Sequence, residues 1–167
     1  MHIRNYCDTD FSSILNVYAH AKLDELRFEG YQFELLPLDE DPTILAAFAE
    51  SDVIVYDDDG VLGFAATLGG QLRALFVHTD ARRRGVGKCL LSAVLANSEG
   101  PISLNVAKSN HIAKNLYEKF GFVVTSEVIN KYNGIEVLYS TMSRVAASEA
   151  SAISSAAVPD HSSSKPL

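Results

Sequence analysis

The strongest chemical signal in the chain is Leu75-Phe76-Val77-His78-Thr79-Asp80-Ala81-Arg82-Arg83-Arg84-Gly85-Val86-Gly87-Lys88-Cys89-Leu90-Leu91. An apolar strand pattern ends there, a basic turn follows, and a helical pattern opens with glycine at two of its first positions. Lacking Cβ atoms, those glycines let backbone N–H groups approach a ligand closely. The positive end of the helix, with Arg82, Arg83, Arg84 and Lys88 beside it, favours a phosphate or pyrophosphate. Two other phosphate-binding patterns fail on spacing. A Walker A loop wants Gly at position 82 and Ser or Thr at 89, where this chain has Arg82 and Cys89; a Gly-x-Gly-x-x-Gly turn wants Gly where Leu90 stands.

A second segment, Leu104-Asn105-Val106-Ala107-Lys108-Ser109-Asn110 followed by Ile112 to Phe122, reads as a strand running into a helix that ends at Gly121. Asn110 stands where a helix cap belongs, and Tyr117 lies four residues after Ala113 and three before Phe120. A phenol in that place is a hydrogen-bond or proton donor, or a core tyrosine with a satisfied hydroxyl.

Arg82-x-x-Gly85-x-Gly87 between strand and helix resembles the acetyl-coenzyme A signature of the GNAT superfamily of N-acetyltransferases. Asn110-x-x-Ala113-x-x-Leu116-Tyr117-x-x-x-Gly121-Phe122 resembles the second signature of the same superfamily, in the expected order. The resemblance implies a GNAT-like α/β fold with a mixed, mostly antiparallel sheet whose middle strands splay apart. It implies acetyl-coenzyme A as co-substrate and no metal. The backbone amides of Arg83, Arg84, Gly85, Val86, Gly87 and Lys88 would hold the pyrophosphate, and Arg82 would shape the turn. Leu75, Phe76 and Val77 would present main-chain groups to the pantetheine arm and acetyl carbonyl. Asn110 and Ala113 would contact the cofactor arm, and Tyr117 would sit near the sulfur as general acid. An amine would attack the thioester directly, without a covalent enzyme intermediate. The acceptor would be a small-molecule amine, a protein lysine or an N-terminal amine, and a homodimer is one assembly such a domain forms. A second reading, from a different class, is a regulatory module that binds acyl-coenzyme A with little turnover.

One departure from the pattern bears on mechanism. The stretch before the turn, Gln71-Leu72-Arg73-Ala74-Leu75, has no carboxylate to take the amine proton. That leaves Asp24, Glu25 or Glu29, a water chain, or an amine that arrives neutral. Simpler roles stand beside the chemical ones: Gly85 and Gly87 as a helix-entry turn, Asn110 as a cap alone, His78 as a surface residue. Cys89 is expected to be a small core residue of its helix.

The elements that must position these residues follow from periodicity. Strands are expected over 2–6, 53–56, 62–68, 71–77, 102–106, 123–128 and 135–142, and helices over 11–18, 22–29, 43–49, 86–96 and 112–120. With the short helix over 43–49 left aside, the order β-α-α-β-β-β-α-β-α-β-β requires helices to cover the faces of one mixed sheet. An Asp57-Asp58-Asp59-Gly60 turn joins the second and third strands. Residues 1–145 are read as one domain, and the Ala/Ser-rich stretch 146–167 as a disordered tail.

Composition bounds the rest. At 167 residues and 47% hydrophobic, the chain suits one globular core. A net charge of −7 argues against nucleic-acid binding. The distribution is uneven: 12 of the 21 acids lie between Asp24 and Asp59, opposite in sign to the 73–88 stretch. A cationic acceptor would be drawn to that acidic half, with Leu26, Phe28, Tyr31 and Phe33 lowering polarity beside it; a merely solvated surface is the alternative. No apolar run reaches the roughly 20 residues of a membrane span, so no membrane partner is expected. No cationic start precedes an apolar block, so no secretory leader is expected and the expected location is cytoplasmic. Cys7 and Cys89 form neither a disulfide framework nor a metal-ligand cluster.

Overall fold

The computed structural model describes residues 2–146 and 149. The expected tail, 146–167, falls almost wholly outside the described residues. Seven strands form one sheet: β1 (His2–Asn5), β2 (Asp52–Asp57), β3 (Val61–Leu68), β4 (Gln71–Val77), β5 (Ile102–Ala107), β6 (Val123–Tyr132) and β7 (Ile135–Arg144). Their spatial order is β1-β2-β3-β4-β5-β7-β6, and every neighbouring pair is antiparallel except β4 and β5. The mixed, mostly antiparallel α/β architecture is the one expected from the sequence.

Helices cover both faces. The helix α1 (Phe11–Ala21) buries Ile14, Val17, Tyr18 and Ala21, and packs with α2 (Pro42–Glu50) over Val53, Val55, Phe64 and Ala66. On the other face, α3 (Val86–Ala96) buries Val86, Leu90, Leu91 and Val94. Together with α4 (His111–Lys119), it covers Ala65, Leu72, Leu104, Phe122 and Met142. The alternation of Phe64 and Ala66 against Ala65 along β3 is the period-two signature of a strand buried on both faces. Gly63 lets α3 come close: a Cβ there would lie 2.8 Å from the Phe76 carbonyl oxygen and 3.1 Å from Val86 and Leu90 side chains.

Helix ends are specified locally. Asp41 caps α2, its Oδ1 accepting from the Thr43 N–H at 3.0 Å and the Ile44 N–H at 3.2 Å, with Pro42 at the first helical position. The helix expected over 22–29 is instead one 3-10 turn, Leu23–Leu26, after which the chain opens out. Leu26 and Phe33 are drawn into a core with Ala107, Tyr132 and Val137, which a straight helix would carry past it. The following loop is pinned to the last hairpin, because the Tyr132 hydroxyl accepts from the Leu36 N–H at 3.0 Å. β6, an edge strand, runs ten residues and is longer than the expected 123–128.

The centre of the sheet opens at a defined point. β4 and β5 share only two register pairs, Gln71 with Ser103 and Leu72 with Leu104. At the next residue, Arg73, β4 carries a bulge against β3, whose register shifts between Ala66 and Thr67. An extra residue on one strand bends and twists it, and here the bend carries Ala74–Val77 away from β5.

A cleft between the splayed strands

The parting of β4 from β5 leaves backbone N–H and C=O groups of β4 beyond Leu72 without a strand partner on that side. They border a cleft of about 740 Å³. At one end the cleft is bounded by Arg82, Arg83, Gly85, Val86, Gly87 and Lys88; along one wall run Asn110, Ala113, Leu116 and Tyr117 of the α4 segment; across from these lie Asp24, Glu25 and Arg27. Leu75, Phe76 and Val77 form its floor.

The basic turn has the backbone shape of an anion cradle. Arg83 has φ +60° and Gly85, the N-cap of α3, φ +80°, so two left-handed residues alternate with extended or helical neighbours. The left-handed conformation costs a residue with a Cβ roughly 1–2 kcal/mol, so strain at Arg83 is held by its surroundings. The first N–H groups of α3 have no acceptor within the helix and point out of its N-terminus, toward the cleft. Gly87 lies just inside that turn; a Cβ there would be 3.6 Å from Val77 Cγ2 and 3.8 Å from Leu116 Cδ2, where the turn, β4 and α4 converge.

The arginines divide their work. Arg82 is ion-paired with Asp24, which ties the turn to the opposite wall. Arg84 reaches away from the cleft to Asp58 at 3.2 Å, so of the residues expected at the cofactor its side chain alone does not border the cavity. Arg83 and Lys88 are exposed at its mouth.

Asn110 caps α4, its side-chain oxygen accepting from the Ala113 N–H at 3.2 Å, which leaves the amide NH2 free to donate. Tyr117 is 8% exposed and packs edge-on against Phe122 at 5.7 Å between ring centroids, yet it lines the cleft. Burial pushes its phenol well above the ordinary tyrosine range, and the negative charge of Glu25 adds to that, so it stays protonated. Tyr139 of β7 is raised in the same way, by burial and then by Glu25 and Glu29.

The acidic half of the chain is largely engaged in structure rather than forming an open field. Asp57 binds Arg4, Asp41 caps α2, Glu50 meets Arg73 at 3.5 Å, and Glu29 accepts a hydrogen bond from the Ser109 hydroxyl at 2.7 Å. Of the three acids considered for proton transfer, only Asp24 and Glu25 border the cleft. Asp24 is held by Arg82 and Glu25 by Lys22. Of the four apolar residues expected beside an acceptor, Leu26 and Phe33 are core, whereas Phe28 and Tyr31 are 52% and 66% exposed. Cys89 is exposed, contrary to the core placement expected: the buried arc of α3 is shifted toward Leu91, which leaves Cys89 on its outer side. His78 stacks on His20 at 4.4 Å and accepts from the Asp80 N–H at 3.2 Å.

Sequence reasoning missed Lys22, whose significance depends on contacts made far along the chain. It also missed Asn105 and Asn115, which line the cleft. The signal for Asn105 was available, since it alternates outward from the buried Leu104 and Val106 of β5. Among the described residues no group of three or more His, Cys, Asp or Glu side chains is placed to hold a metal ion, and no helix is long and apolar enough to cross a membrane.

Residues 49–124 match the family model for the acetyltransferase (GNAT) domain. The chain is 38% identical over 73 residues to the peptidyl-lysine N-acetyltransferase YjaB of Salmonella typhimurium, a match that covers 44% of this chain and 50% of that protein. It is 35% identical over 95 residues to the peptidyl-lysine N-acetyltransferase YiaC of Escherichia coli, covering 56% of this chain and 62% of that protein. The chain thus spans about half to three-fifths of the length of these curated relatives. Among solved structures, yncA of Salmonella typhimurium, a putative acetyltransferase with its cofactor acetyl-CoA, superposes with a TM-score of 0.66 at 18% identity, covering 100% of this chain and 99% of that one. At that identity the likeness is one of fold.

Proposed function

We propose that this chain, which belongs to the GNAT superfamily, transfers the acetyl group of acetyl-coenzyme A to a primary amine, and that the amine is a lysine side chain of a peptide or protein. The observation that carries the reading is the continuity of the cleft. It runs from a helix N-terminus shaped for a pyrophosphate, along a strand edge with free backbone groups, to a buried protonated phenol and a carboxylate. A long ligand with an anionic head, an amide-rich arm and a reactive tip fits that sequence of surroundings, and acetyl-coenzyme A is such a ligand. The relatives named for peptidyl-lysine acetylation support the choice of acceptor.

The amides of residues 83–88 would hold the pyrophosphate at the positive end of α3. Unpaired β4 groups from Leu75 to Val77 and the Asn110 amide would orient the arm, and a β4 N–H would receive the developing oxyanion. The neutral amine nitrogen attacks the thioester carbonyl; the C–N bond forms, the C–S bond breaks, and the nitrogen gives up one proton. Tyr117 would face the sulfur and donate its proton there as the C–S bond breaks. Since burial holds the phenol protonated, the donor is present throughout the neutral range. The amine proton leaves on the Glu25 side of the cleft, by that carboxylate or by water. Residues 1–145 constitute the catalytic unit in this reading.

An acceptor comparison tests the assignment. Peptides carrying one lysine with a blocked N-terminus, and peptides with a free N-terminus and no lysine, are incubated with acetyl-coenzyme A and analysed by mass spectrometry. A 42 Da gain on the lysine peptides at the higher rate supports the reading; faster gain on the N-terminal amines would overturn the choice of acceptor.

A further inference from the structure

Lys22 closes α1 from within the fold. Its side chain is only 12% exposed, and its ammonium is ion-paired with Glu25, a wall of the cleft. The same nitrogen lies 4.9 Å from the centroid of the Tyr132 ring and 5.8 Å from that of Phe76, which belongs to the cleft floor. One carboxylate and two aromatic faces make a site for an alkylammonium. Beside it, Tyr18 packs edge-on against the same Phe76 ring at 5.4 Å and is 2% exposed. Its hydroxyl is the buried side-chain polar atom without a hydrogen-bond partner among the described residues. An orphaned hydroxyl in a core costs on the order of 1–3 kcal/mol.

We infer that Lys22 occupies the site that receives the acceptor's ammonium, so that a substrate lysine binds by displacing the chain's own lysine from Glu25, Tyr132 and Phe76. The inference rests on the acetyltransferase reading and deepens it. A tethered lysine is an intramolecular competitor of the same chemistry as the substrate: a primary ammonium on a four-carbon stem. It keeps Glu25 and the ring faces compensated when no acceptor is present, since a charge left alone there would lose its partner on partial burial. It also sets a threshold, because only an acceptor whose contacts outweigh those of Lys22 gains entry. Amines of other shape, which cannot reproduce both the carboxylate and the ring contacts, are disfavoured by the same competition.

Binding of a single-lysine peptide with blocked termini is measured by calorimetry in the presence of coenzyme A, which occupies the cleft without permitting transfer. Lys22→Ala is expected to tighten binding about five-fold, the worth of one partly screened ammonium contact, and Glu25→Gln in that background to weaken it. Equal or weaker peptide binding by a Lys22→Ala protein that melts like the parent would overturn the inference. A measurement on the unaltered protein does not depend on how the variant folds. Acylation of Lys22 by an excess of water-soluble N-hydroxysuccinimidyl acetate, followed by peptide mapping, should be slow in the free protein and accelerate when the peptide is saturating. An unchanged or slower rate would contradict displacement. Acetyl-coenzyme A-dependent modification of the same peptide is read in parallel. Transfer without any response at Lys22 sinks the displacement alone, whereas displacement without transfer sinks the catalytic reading and leaves the ammonium site standing.

Discussion

Arg82 of the basic turn is ion-paired with Asp24, 58 residues earlier in the chain. One contact thus joins the two walls of the cleft, the basic turn and the segment that follows α1. Both side chains are about a third exposed, at 35% and 34%, so solvent screens the pair and its worth is about 0.5–1 kcal/mol. In urea unfolding, Arg82→Ala and Asp24→Ala are expected to be non-additive by that amount, with the coupling shrinking in high salt. Strict additivity at low salt would show that the pair bears no load.

The two glycines of the turn should separate stability from binding. Gly85→Ala puts a Cβ on a residue at φ +80° and is expected to cost about 1–2 kcal/mol in unfolding, since no space is lacking but the backbone is strained. Gly87 is helical and its Cβ direction is open at ordinary contact distance, so Gly87→Ala should melt close to the parent, whereas Gly87→Val should lose some stability and is compared at a temperature where it is fully folded. Its methyl groups would crowd the junction of Val77 and Leu116, and the expected loss of acetyl-coenzyme A affinity is tenfold or more by calorimetry. Unchanged affinity in Gly87→Val would remove this turn from the cofactor site.

Tyr117→Phe removes a hydroxyl of the cleft lining that is hydrogen-bonded to no other described residue, so little stability should be lost. Turnover is expected to fall on the order of 10²-fold if the phenol donates to the leaving sulfur. A kcat within about twofold of the parent, with the same melting temperature, would reassign Tyr117 to packing.

Acid stability should hinge on Asp10. It accepts two hydrogen bonds from Arg4, at 2.7 and 2.8 Å, and one from the Cys7 N–H at 3.0 Å. The Arg4 guanidinium, more than any other group, holds its carboxyl well below the usual carboxylate range, as it also lowers Asp57. A depressed folded-state value stabilises the fold above the unfolded value of about 4, and that contribution is lost as pH falls through the folded value. Melting temperature should therefore decline below about pH 4, with a flatter acid limb in Asp10→Asn. At the other extreme, Tyr18, Tyr117 and Tyr139 are all raised by burial, so their contribution is complete below about pH 10 and is lost above it. A melting temperature indifferent to pH between 2 and 4 would contradict the role of Asp10.

What the sequence made legible was what short stretches encode. Arg82, Gly85 and Gly87 sit together because backbone geometry over a few residues demands it, and Asn110, Ala113 and Tyr117 lie within about two turns of one capped helix. The sheet followed from period-two patterns and from turns such as Asn133-Gly134, both at positive φ. The surroundings of Lys22 were not legible, because nothing local distinguishes it from any helix-terminal lysine. Its partners Phe76 and Tyr132 are brought to it by the sheet. Long-range packing likewise stopped the helix expected over 22–29, since Leu26 and Phe33 had to share one core. The acidic stretch was legible only as a charge count, for a related reason: a count says nothing about which carboxylates are already committed to Arg4, Arg73, Arg82 and Arg84.

One measurement separates transfer of the acyl group in the cleft from its storage there. Free thiol released from acetyl-coenzyme A is followed in the presence of a blocked single-lysine peptide, with N-acetyl gain on the peptide quantified in the same samples from pH 6 to 9. The expected result is many turnovers, one thiol released per acetyl gained, a kcat/KM that rises with pH as the lysine loses its proton, and a fall in both signals in Gly87→Val. Tight, saturable binding of acetyl-coenzyme A with no thiol release above the rate without protein, across a panel of lysine peptides and small amines, would contradict it and make the chain an acyl-coenzyme A-binding module.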